Sequence, residues 1–250
     1  MELRLDGKKA LVTGASSGLG WRFASALAEA GAEVALAARR TDRLEALKAG
    51  IERAGGRAHA FAMDVTDVAS VRAGVAAAEA ALGALDILVN NSGVSVTKRA
   101  GDVEEADYDA VMDTNAKGAF FVAQAAGRAM IAAKRPGRIV NIASAAGLRV
   151  LGQLSVYCMS KAAVIHMTRA LALEWGRYGI NVNALCPGYI ETEINRDYWK
   201  TDGGQKLIGM LPRRRVGKPA DLDGLLLLLA SEHSGFVNGA VISADDGLTA

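Results

Sequence analysis

Short apolar segments alternate with helical segments along almost the whole chain. The apolar segments show no clear polar–apolar alternation, which is typical of strands whose sheet is covered by helices on both faces. Helices at this spacing supply the crossover connections that parallel strands need. The pattern therefore predicts an α/β protein with a doubly wound parallel sheet, whose ligand crevice lies at the carboxyl ends of the strands.

The predicted elements follow from these segments and from the glycines that end them. Strands are predicted over residues 9–13, 34–38, 58–63, 87–89, 138–142, 181–185 and 241–243. Helices are predicted over residues 21–30, 42–54, 68–82, 106–133, 156–178 and 219–231, with a candidate break near Asn115. We interpret residues 1–250 as one dinucleotide-binding and catalytic domain, in which the irregular stretch 189–218 is a lid or substrate loop.

Composition excludes several classes of protein. With 51% hydrophobic and 22% charged residues, the chain is not intrinsically disordered. Its net charge of +2 and its 5% aromatic residues argue against a nucleic-acid-binding protein, so Arg213-Arg214-Arg215 is better explained as a solvated or cofactor-flanking run. The sequence shows no signal peptide, no membrane-spanning segment, no disulfide framework and no metal-ligand spacing. We expect a cytoplasmic protein with no membrane, nucleic-acid or metal partner.

A glycine-rich turn follows the first predicted strand and opens the first predicted helix. Its glycines are Gly14, Gly18 and Gly20, in the spacing G-x-x-x-G-x-G. Gly14 permits the tight turn, Gly18 lets the backbone approach a pyrophosphate, and Gly20 allows close packing of helix on strand. An ordinary glycine turn is the alternative, but the position after the first strand favours a dinucleotide.

The end of the second predicted strand indicates which dinucleotide is bound. A ribose-binding carboxylate is expected about 20 residues after the glycines, and Ala38 occupies that position, followed by Arg39. A guanidinium there can hold a 2′-phosphate, so NADP(H) is predicted, with NAD(H) possible. The alternative is a solvated pair, Arg39 and Arg40, at a helix start.

Four features are predicted to converge on the crevice: the pair Tyr157 and Lys161, Ser144, Asn115, and the segment Asn90-Asn91-Ser92-Gly93 just past the fourth strand. Tyr157 and Lys161 are spaced i and i+4 on a predicted helix, and Lys161 is expected to lower the pKa of the phenol. Ser144 lies just past the fifth strand, and Asn115 interrupts a helix in which asparagine is a poor helix former. Together they form a candidate acid–base site.

At these spacings the chain resembles the short-chain dehydrogenase/reductase family over essentially its whole length. The resemblance implies a Rossmann fold with strand order 3-2-1-4-5-6-7 and a catalytic tetrad of Asn115, Ser144, Tyr157 and Lys161. Ser144 would bind the carbonyl oxygen, Tyr157 would exchange the proton, Lys161 would hold the nicotinamide ribose, and Asn115 would hold the helix geometry and a relay water. The implied cofactor-binding residues are Gly14, Ser16, Ser17, Gly18, Leu19, Gly20, Arg39, Arg40, Asp64, Val65, Asn91, Ser92, Gly93, Tyr157, Lys161, Pro187, Gly188, Ile190 and Thr192.

Three positions depart from the family pattern. Ser92 replaces the usual alanine of Asn-Asn-Ala-Gly, and Ser16-Ser17 stand where many NADP-dependent relatives have a basic residue. Asp245-Asp246-Gly247 stand where relatives more often have Asp-Gly-Gly, a change to which the sequence assigns no consequence.

The resemblance implies an oxidoreductase that transfers a hydride between a nicotinamide and a carbonyl or secondary alcohol. An NADP(H)-dependent reductase of a ketone or 3-ketoacyl substrate is the first expectation, and an NAD(H)-dependent sugar or polyol dehydrogenase is the alternative. A nucleotide-binding module without turnover would have a broken tetrad, whereas all four members are present. The remaining expected partners are a small-molecule substrate and further copies of the chain in a homotetramer.

Overall fold

The seven strands form one parallel sheet in the order β3-β2-β1-β4-β5-β6-β7, in a computed structural model that describes residues 2–193 and 195–250. The strands are β1 Lys9–Thr13, β2 Glu33–Ala38, β3 Arg57–Ala62, β4 Ile87–Asn90, β5 Gly137–Ile142, β6 Ile180–Pro187 and β7 Val241–Ala244. The predicted strand order is therefore confirmed, and the strands begin or end one or two residues from the predicted limits.

Helices connect successive strands on both sides of this sheet. They are α1 Gly18–Glu29, α2 Thr41–Arg53, α3 Val68–Leu82, α4 Glu105–Met112, α5 Ala119–Ala132, α6 Ser155–Trp175, α7 Asp202–Met210 and α8 Asp223–Ala230. No helix in the described part of the chain combines the length and apolar character needed to cross a membrane.

Each face of the sheet has its own hydrophobic core. Neighbouring residues of β1 divide between the two: Val12 packs with Phe23 of α1 on one face, whereas Leu11 packs with Val75 of α3 on the other. Because both faces are buried, most residues of the central strands are apolar, which explains why their sequences show no alternation.

The predicted helix over residues 106–133 is wrong as a continuous α-helix. A π-helical stretch, Asp113–Gly118, separates α4 from α5, so the candidate break near Asn115 is confirmed. Asn115 is 1% exposed and its side chain is bound to the backbone of Val94, which accounts for the widened turn at this point.

The predicted substrate loop over residues 189–218 contains a helix that the sequence pattern did not indicate. Helix α7 begins after Thr201, whose side-chain oxygen accepts a hydrogen bond from the Gly204 N–H at 3.1 Å. A 3₁₀ turn, Tyr198–Lys200, precedes it. The predicted helices over 156–178 and 219–231 are also shorter, because a 3₁₀ turn ends the first and another begins the second.

Candidate active site

One cavity of about 710 Å³ opens at the carboxyl ends of the central strands. It is lined by all the predicted site residues except Gly20 and Asn115. Gly20 packs against the backbone of Gly14 in the glycine loop. Asn115 lies between Val94, in the turn after β4, and Ser160 of α6. The crevice predicted from the strand order is therefore where the candidate residues meet.

The glycine loop is held in shape by its neighbours on β1 and β4. Gly14 has φ +66°, a conformation that favours glycine, and the side chain of Asn91 donates to the carbonyl oxygen of Thr13 at 3.1 Å. The hydroxyl oxygen of Thr13 accepts a hydrogen bond from the backbone N–H of Asn91 at 3.0 Å. The loop is thus fixed by protein contacts alone.

The start of α1 fits the diphosphate of a dinucleotide. Ser17 is the N-cap residue, and its side chain makes no capping hydrogen bond, so the first N–H groups of the helix have no side-chain partner. Gly18 has φ +55°, and a Cβ atom there would lie 3.5 Å from the Cγ2 atom of Thr192. A backbone cradle at the positive end of a helix is a suitable site for an anion.

Replacing Gly20 with Ala is expected to lower stability and weaken dinucleotide binding. A Cβ atom at this position would overlap the carbonyl oxygen of Gly14, which belongs to the loop backbone and cannot simply rotate away. Overpacking of this kind costs ~1–3 kcal/mol or more. Thermal unfolding and dinucleotide titration measure the two effects.

Gly224→Ala is the matched control for this change. Gly224 also lies in a helix, but an added Cβ would meet nothing within 4 Å, so alanine should keep or raise the midpoint of unfolding. Equal midpoints and affinities for the Gly20 and Gly224 variants would contradict the packing role of Gly20.

The rim beside β2 carries the residues predicted for the adenosine end. Ala38 is 8% exposed, and Arg39 follows it at the surface with no hydrogen bond or ion pair to any described residue. Arg40 instead donates to the hydroxyl oxygens of Ser16 at 3.0 Å and Ser17 at 2.7 Å. Arg39 is thus available to a ligand, whereas Arg40 is partly engaged by the glycine loop.

Asp64 lies on the same rim, after β3. The N–H and hydroxyl groups of Thr66 donate to its carboxylate at 3.0 and 2.8 Å, and the backbone hydrogen bond is the main reason why its pKa is lowered. The ionised carboxylate is suited to accept hydrogen bonds from an adenine amino group or a ribose.

Sequence reasoning missed Arg43, which joins the glycine loop to the stretch after β6. Its guanidinium donates to the Glu193 carboxylate at 3.0 Å and to the carbonyl oxygen of Ser16 at 3.4 Å. It also lies 5.6 Å from the centre of the Trp21 ring. The only available signal was its position four residues after Arg39, one turn into the next helix.

Tyr157 and Ser144 form the polar centre of the cavity. Ser144 is held in the turn after β5, where its hydroxyl oxygen accepts from the Ala146 N–H at 3.1 Å. Burial raises the pKa of Tyr157, and a hydrogen bond with Ser144 opposes that rise. The expectation that the pKa is lowered in the protein alone is wrong, because burial outweighs the other contributions.

Lys161 lies one turn further along α6. It is 4% exposed, and its ammonium group donates to the carbonyl oxygen of Ile142 at 2.9 Å. Its Nζ atom lies 5.7 Å from the centre of the Tyr157 ring. No described carboxylate pairs with it, and burial lowers its pKa to about 8.

Asn115 connects three segments around the site. Its carboxamide oxygen accepts from the Val94 N–H, and its amide group donates to the Val94 carbonyl oxygen, both at 2.8 Å. The amide group also donates to the hydroxyl of Ser160 on α6 at 3.0 Å. Both amide hydrogens are therefore engaged, which ties the turn after β4 to the helix that carries Tyr157.

The other half of the cavity is mixed in character. Its polar side chains are Ser95, Tyr189 and Asn195, and its apolar ones include Leu151 and Leu248. Leu248 was missed, because nothing in the local sequence indicates that the end of the chain folds back to this cavity.

Trp199 and Met210 lie in the predicted substrate loop 189–218 but do not line the cavity. Trp199 is buried and packs edge-on against Tyr189, with ring centres 5.5 Å apart, so it supports the wall from behind. Met210 is 67% exposed.

The chain is similar to a large number of known proteins. A family model described as enoyl-(acyl carrier protein) reductase matches residues 14–249. A gluconate 5-dehydrogenase of Gluconobacter oxydans is 40% identical over 249 residues, which cover 98% of this chain and 96% of that protein. A protein of Listeria innocua named NAD-dependent glycerol dehydrogenase is 36% identical over 248 residues, covering 99% and 96%.

Solved structures agree with this result. A gluconate 5-dehydrogenase from Burkholderia cenocepacia, crystallised with NADP and tartrate, matches with a TM-score of 0.94 and 38% identity over 99% of this chain and 97% of that chain. These relatives are dehydrogenases of sugar acids and polyols, so they fit the expected alternative better than a 3-ketoacyl reductase.

Proposed function

The chain belongs to the short-chain dehydrogenase/reductase family, whose members act on CH–OH and C=O groups, and on that premise we propose that it oxidises a secondary alcohol of a polyol or sugar derivative, or reduces the corresponding ketone. The whole of residues 1–250 would serve as one catalytic domain, with the stretch 189–218 on the substrate side.

The arrangement of Ser144, Tyr157 and Lys161 carries this proposal. The Tyr157 phenol and the Ser144 hydroxyl line the same part of the cavity, and a buried ammonium lies beside the phenol ring. The phenol can donate or accept the one proton that a carbonyl–alcohol interconversion requires. The surrounding hydroxyl groups of Ser95 and Tyr189 suit a substrate with several hydroxyls.

We assign the residues these roles. Ser144 and Tyr157 hydrogen-bond the reacting oxygen, and Tyr157 passes a proton to it during reduction or takes one during oxidation. Lys161 favours the phenolate electrostatically and donates to ribose hydroxyls. Asn115 acts by position, because its amide hydrogens are already bound to Val94 and Ser160.

The residues around the glycine loop fit a nicotinamide dinucleotide, which when bound supplies the hydride acceptor or donor at its C4 atom. The N-terminus of α1 and the cradle at Gly18 would hold the diphosphate, and Asp64 and Val65 would border the adenine. The remaining residues proposed to hold it are Asn91, Ser92 and Gly93 after β4, and Pro187, Gly188, Ile190 and Thr192 after β6.

A panel of substrates tests the function. The purified chain is assayed by nicotinamide absorbance with linear polyols, aldonates, simple ketones and 3-ketoacyl thioesters, each with NADP(H) and NAD(H). We expect the highest kcat/KM with a polyol or sugar derivative. Highest activity with an acyl thioester would overturn this substrate class, and no turnover with any secondary alcohol or ketone would overturn the reaction.

NADPH is the proposed preferred cofactor, by about tenfold to a hundredfold in affinity over NADH. No carboxylate is present at Ala38 to repel a 2′-phosphate, and Arg39 is available to bind it. A charge-assisted hydrogen bond of this type contributes roughly 1.5–3 kcal/mol. If Arg39 instead stacks on the adenine, the protein should bind NADPH and NADH with similar affinity.

The double variant Ala38→Asp/Arg39→Ala tests this preference. It should invert the ratio of kcat/KM for the two cofactors, while Arg72→Ala, a change of an exposed arginine on α3, leaves the ratio unaltered. A wild-type preference for NADH, or an unaltered ratio in the double variant, would refute the assignment.

A homotetramer is the proposed assembly. Large apolar side chains remain exposed on two separate parts of the chain: Met159 and Leu173 on α6, and Phe236 before β7. Exposed apolar surface of this kind is typical of subunit contacts. Light scattering at micromolar protein should give four times the chain mass of 26.0 kDa, and a monomer would contradict the proposal.

A further inference from the structure

The backbone of Asp246 adopts a conformation that favours glycine. Its φ is +57°, in the left-handed region, and it stands where the family pattern more often has a glycine. Aspartate tolerates this region better than most residues, but glycine would occupy it without strain. The side chain is therefore expected to make a contact that a glycine could not make.

That contact is with two arginines of the stretch 189–218. The Asp246 carboxylate accepts from the Nη1 atom of Arg213 at 3.1 Å and from the Nε atom of Arg215 at 2.7 Å. We call these three residues the Asp246 cluster. A single exposed ion pair contributes little to the free energy of unfolding. Here, however, one carboxylate that is 27% exposed pairs with two guanidinium groups and so joins the end of the chain to the stretch 189–218.

The cluster anchors the last residues of the chain, which we call the tail, 245–250. Within the tail the Asp245 carboxylate accepts from the N–H groups of Gly247 at 3.1 Å and Thr249 at 3.0 Å. From the other side Arg149 donates to the carbonyl oxygen of Leu248 at 2.8 Å. The tail thus forms a short turn, which Arg213 and Arg215 contact at Asp246 and Arg149 contacts at Leu248.

Leu248, at the centre of that turn, lines the same cavity as Tyr157 and Leu151. The tail therefore supplies one apolar wall of the space into which a substrate must fit. The tail packs against Gly188 and Pro212 and is joined to the stretch 189–218 by the two ion pairs of Asp246, so the position of this wall depends in part on those ion pairs.

We propose that Asp246 is a positioning residue for the substrate: the Asp246 cluster fixes the tail so that Leu248 closes the cavity and limits the length of the alcohol or ketone that is accepted. This inference rests on the proposed function, since Leu248 selects among substrates only where the cavity binds them. Asp246 itself does not contact the reacting atoms.

The test compares Asp246→Gly with Arg214→Gly in the full chain saturated with NADPH. The backbone of Arg214 is also in the left-handed region, at φ +49°, and its side chain makes no ion pair with any described residue. Both substitutions therefore remove a side chain from a strained backbone position. Only Asp246→Gly breaks the Asp246 cluster. Amide hydrogen exchange of residues 245–250 is measured first, because it needs no substrate. Steady-state kinetics with the best substrate of the panel follow.

Asp246→Gly should accelerate exchange of the Gly247 and Thr249 amides about tenfold and raise KM for the substrate about fivefold to tenfold. The value of kcat and the Kd for NADPH should stay within about twofold, as expected when only substrate binding is weakened. Arg214→Gly should change neither exchange nor KM. Leu248→Ala should raise kcat/KM for longer substrates relative to shorter ones.

Unaltered exchange of the tail in Asp246→Gly would overturn the anchoring role. Faster exchange with an unaltered KM would overturn the positioning role, as would an unaltered length preference in Leu248→Ala. If the wild-type chain turns over no alcohol or ketone, the proposed function fails and the selection role fails with it, while the exchange measurement still decides whether the cluster anchors the tail.

Discussion

Phenylalanine in place of Tyr157 is expected to lower kcat by ~10²–10⁴-fold. The change removes one oxygen atom, that of the phenol that lines the cavity together with the Ser144 hydroxyl. The ring is retained, so the packing of α6 and the affinity for the dinucleotide should be nearly unaltered. Steady-state rates and dinucleotide fluorescence titration measure the two quantities separately.

Tyr178→Phe is the control for this change. Tyr178 is 41% exposed at the far end of α6, and its hydroxyl meets only the neighbouring Arg177. The control should keep wild-type kcat. A Tyr157→Phe variant that retains a tenth or more of kcat would show that the proton is exchanged elsewhere.

Methionine in place of Lys161 should remove most of the activity and at the same time make the protein without cofactor more stable. The pKa of Lys161 is lowered from 10.5 to about 8 by burial. A pKa lowered to this extent corresponds to ~3 kcal/mol of destabilisation at neutral pH, and the lost hydrogen bond to Ile142 reduces the gain by ~1 kcal/mol. We therefore expect a gain of ~2 kcal/mol in the free energy of unfolding at pH 7.

The pH dependence of this gain has a defined sign. Between pH 8 and 10.5 the unfolded chain keeps the Lys161 proton while the folded protein has lost it, so the wild-type free energy of unfolding rises with pH relative to the variant. The gain should therefore shrink as the pH approaches 10.5. Denaturant unfolding at several pH values, without cofactor, measures the difference directly.

Lys117→Met serves as the matched control, because Lys117 is about half exposed and paired with Asp113 on the same helical stretch. It should show neither the gain in stability nor the loss of kcat. A Lys161→Met variant that is less stable than wild type at pH 7 would refute the view that the protein retains this lysine at the expense of its own stability.

The sheet and the centre of the site could be predicted because both depend on local sequence. Buried strands have a recognisable composition, and residues such as Ser144 and Asn91 follow such strands directly, so the strand order brings them to one edge. Tyr157 and Lys161 lie on one helix, where the spacing i and i+4 determines that they are neighbours.

The features that could not be predicted depend on contacts between distant segments. Leu248 lines the cavity at the end of the chain, in a tail that contacts the distant residues Arg149 and Arg213. The direction of the Tyr157 pKa shift depends on how deeply the finished fold buries the phenol, and the charge of Lys161 one turn away was not sufficient to predict it. Helix α7 was missed because its glycines are poor helix formers, and tertiary contacts override that preference.

The π-helical stretch Asp113–Gly118 contains one residue more than an α-helix would need to connect α4 with α5. Its hydrogen bonds run from i to i+5, so each residue turns the chain by less than the ~100° of an α-helix. Deleting one residue here would let the stretch close as ordinary α-helix, and the face of α5 that carries Val122 and Met130 would stay on the sheet. The position of Asn115 against Val94 would change instead, because the widened turn accommodates that contact. The additional residue thus serves the placement of one side chain and not the packing of the two helices.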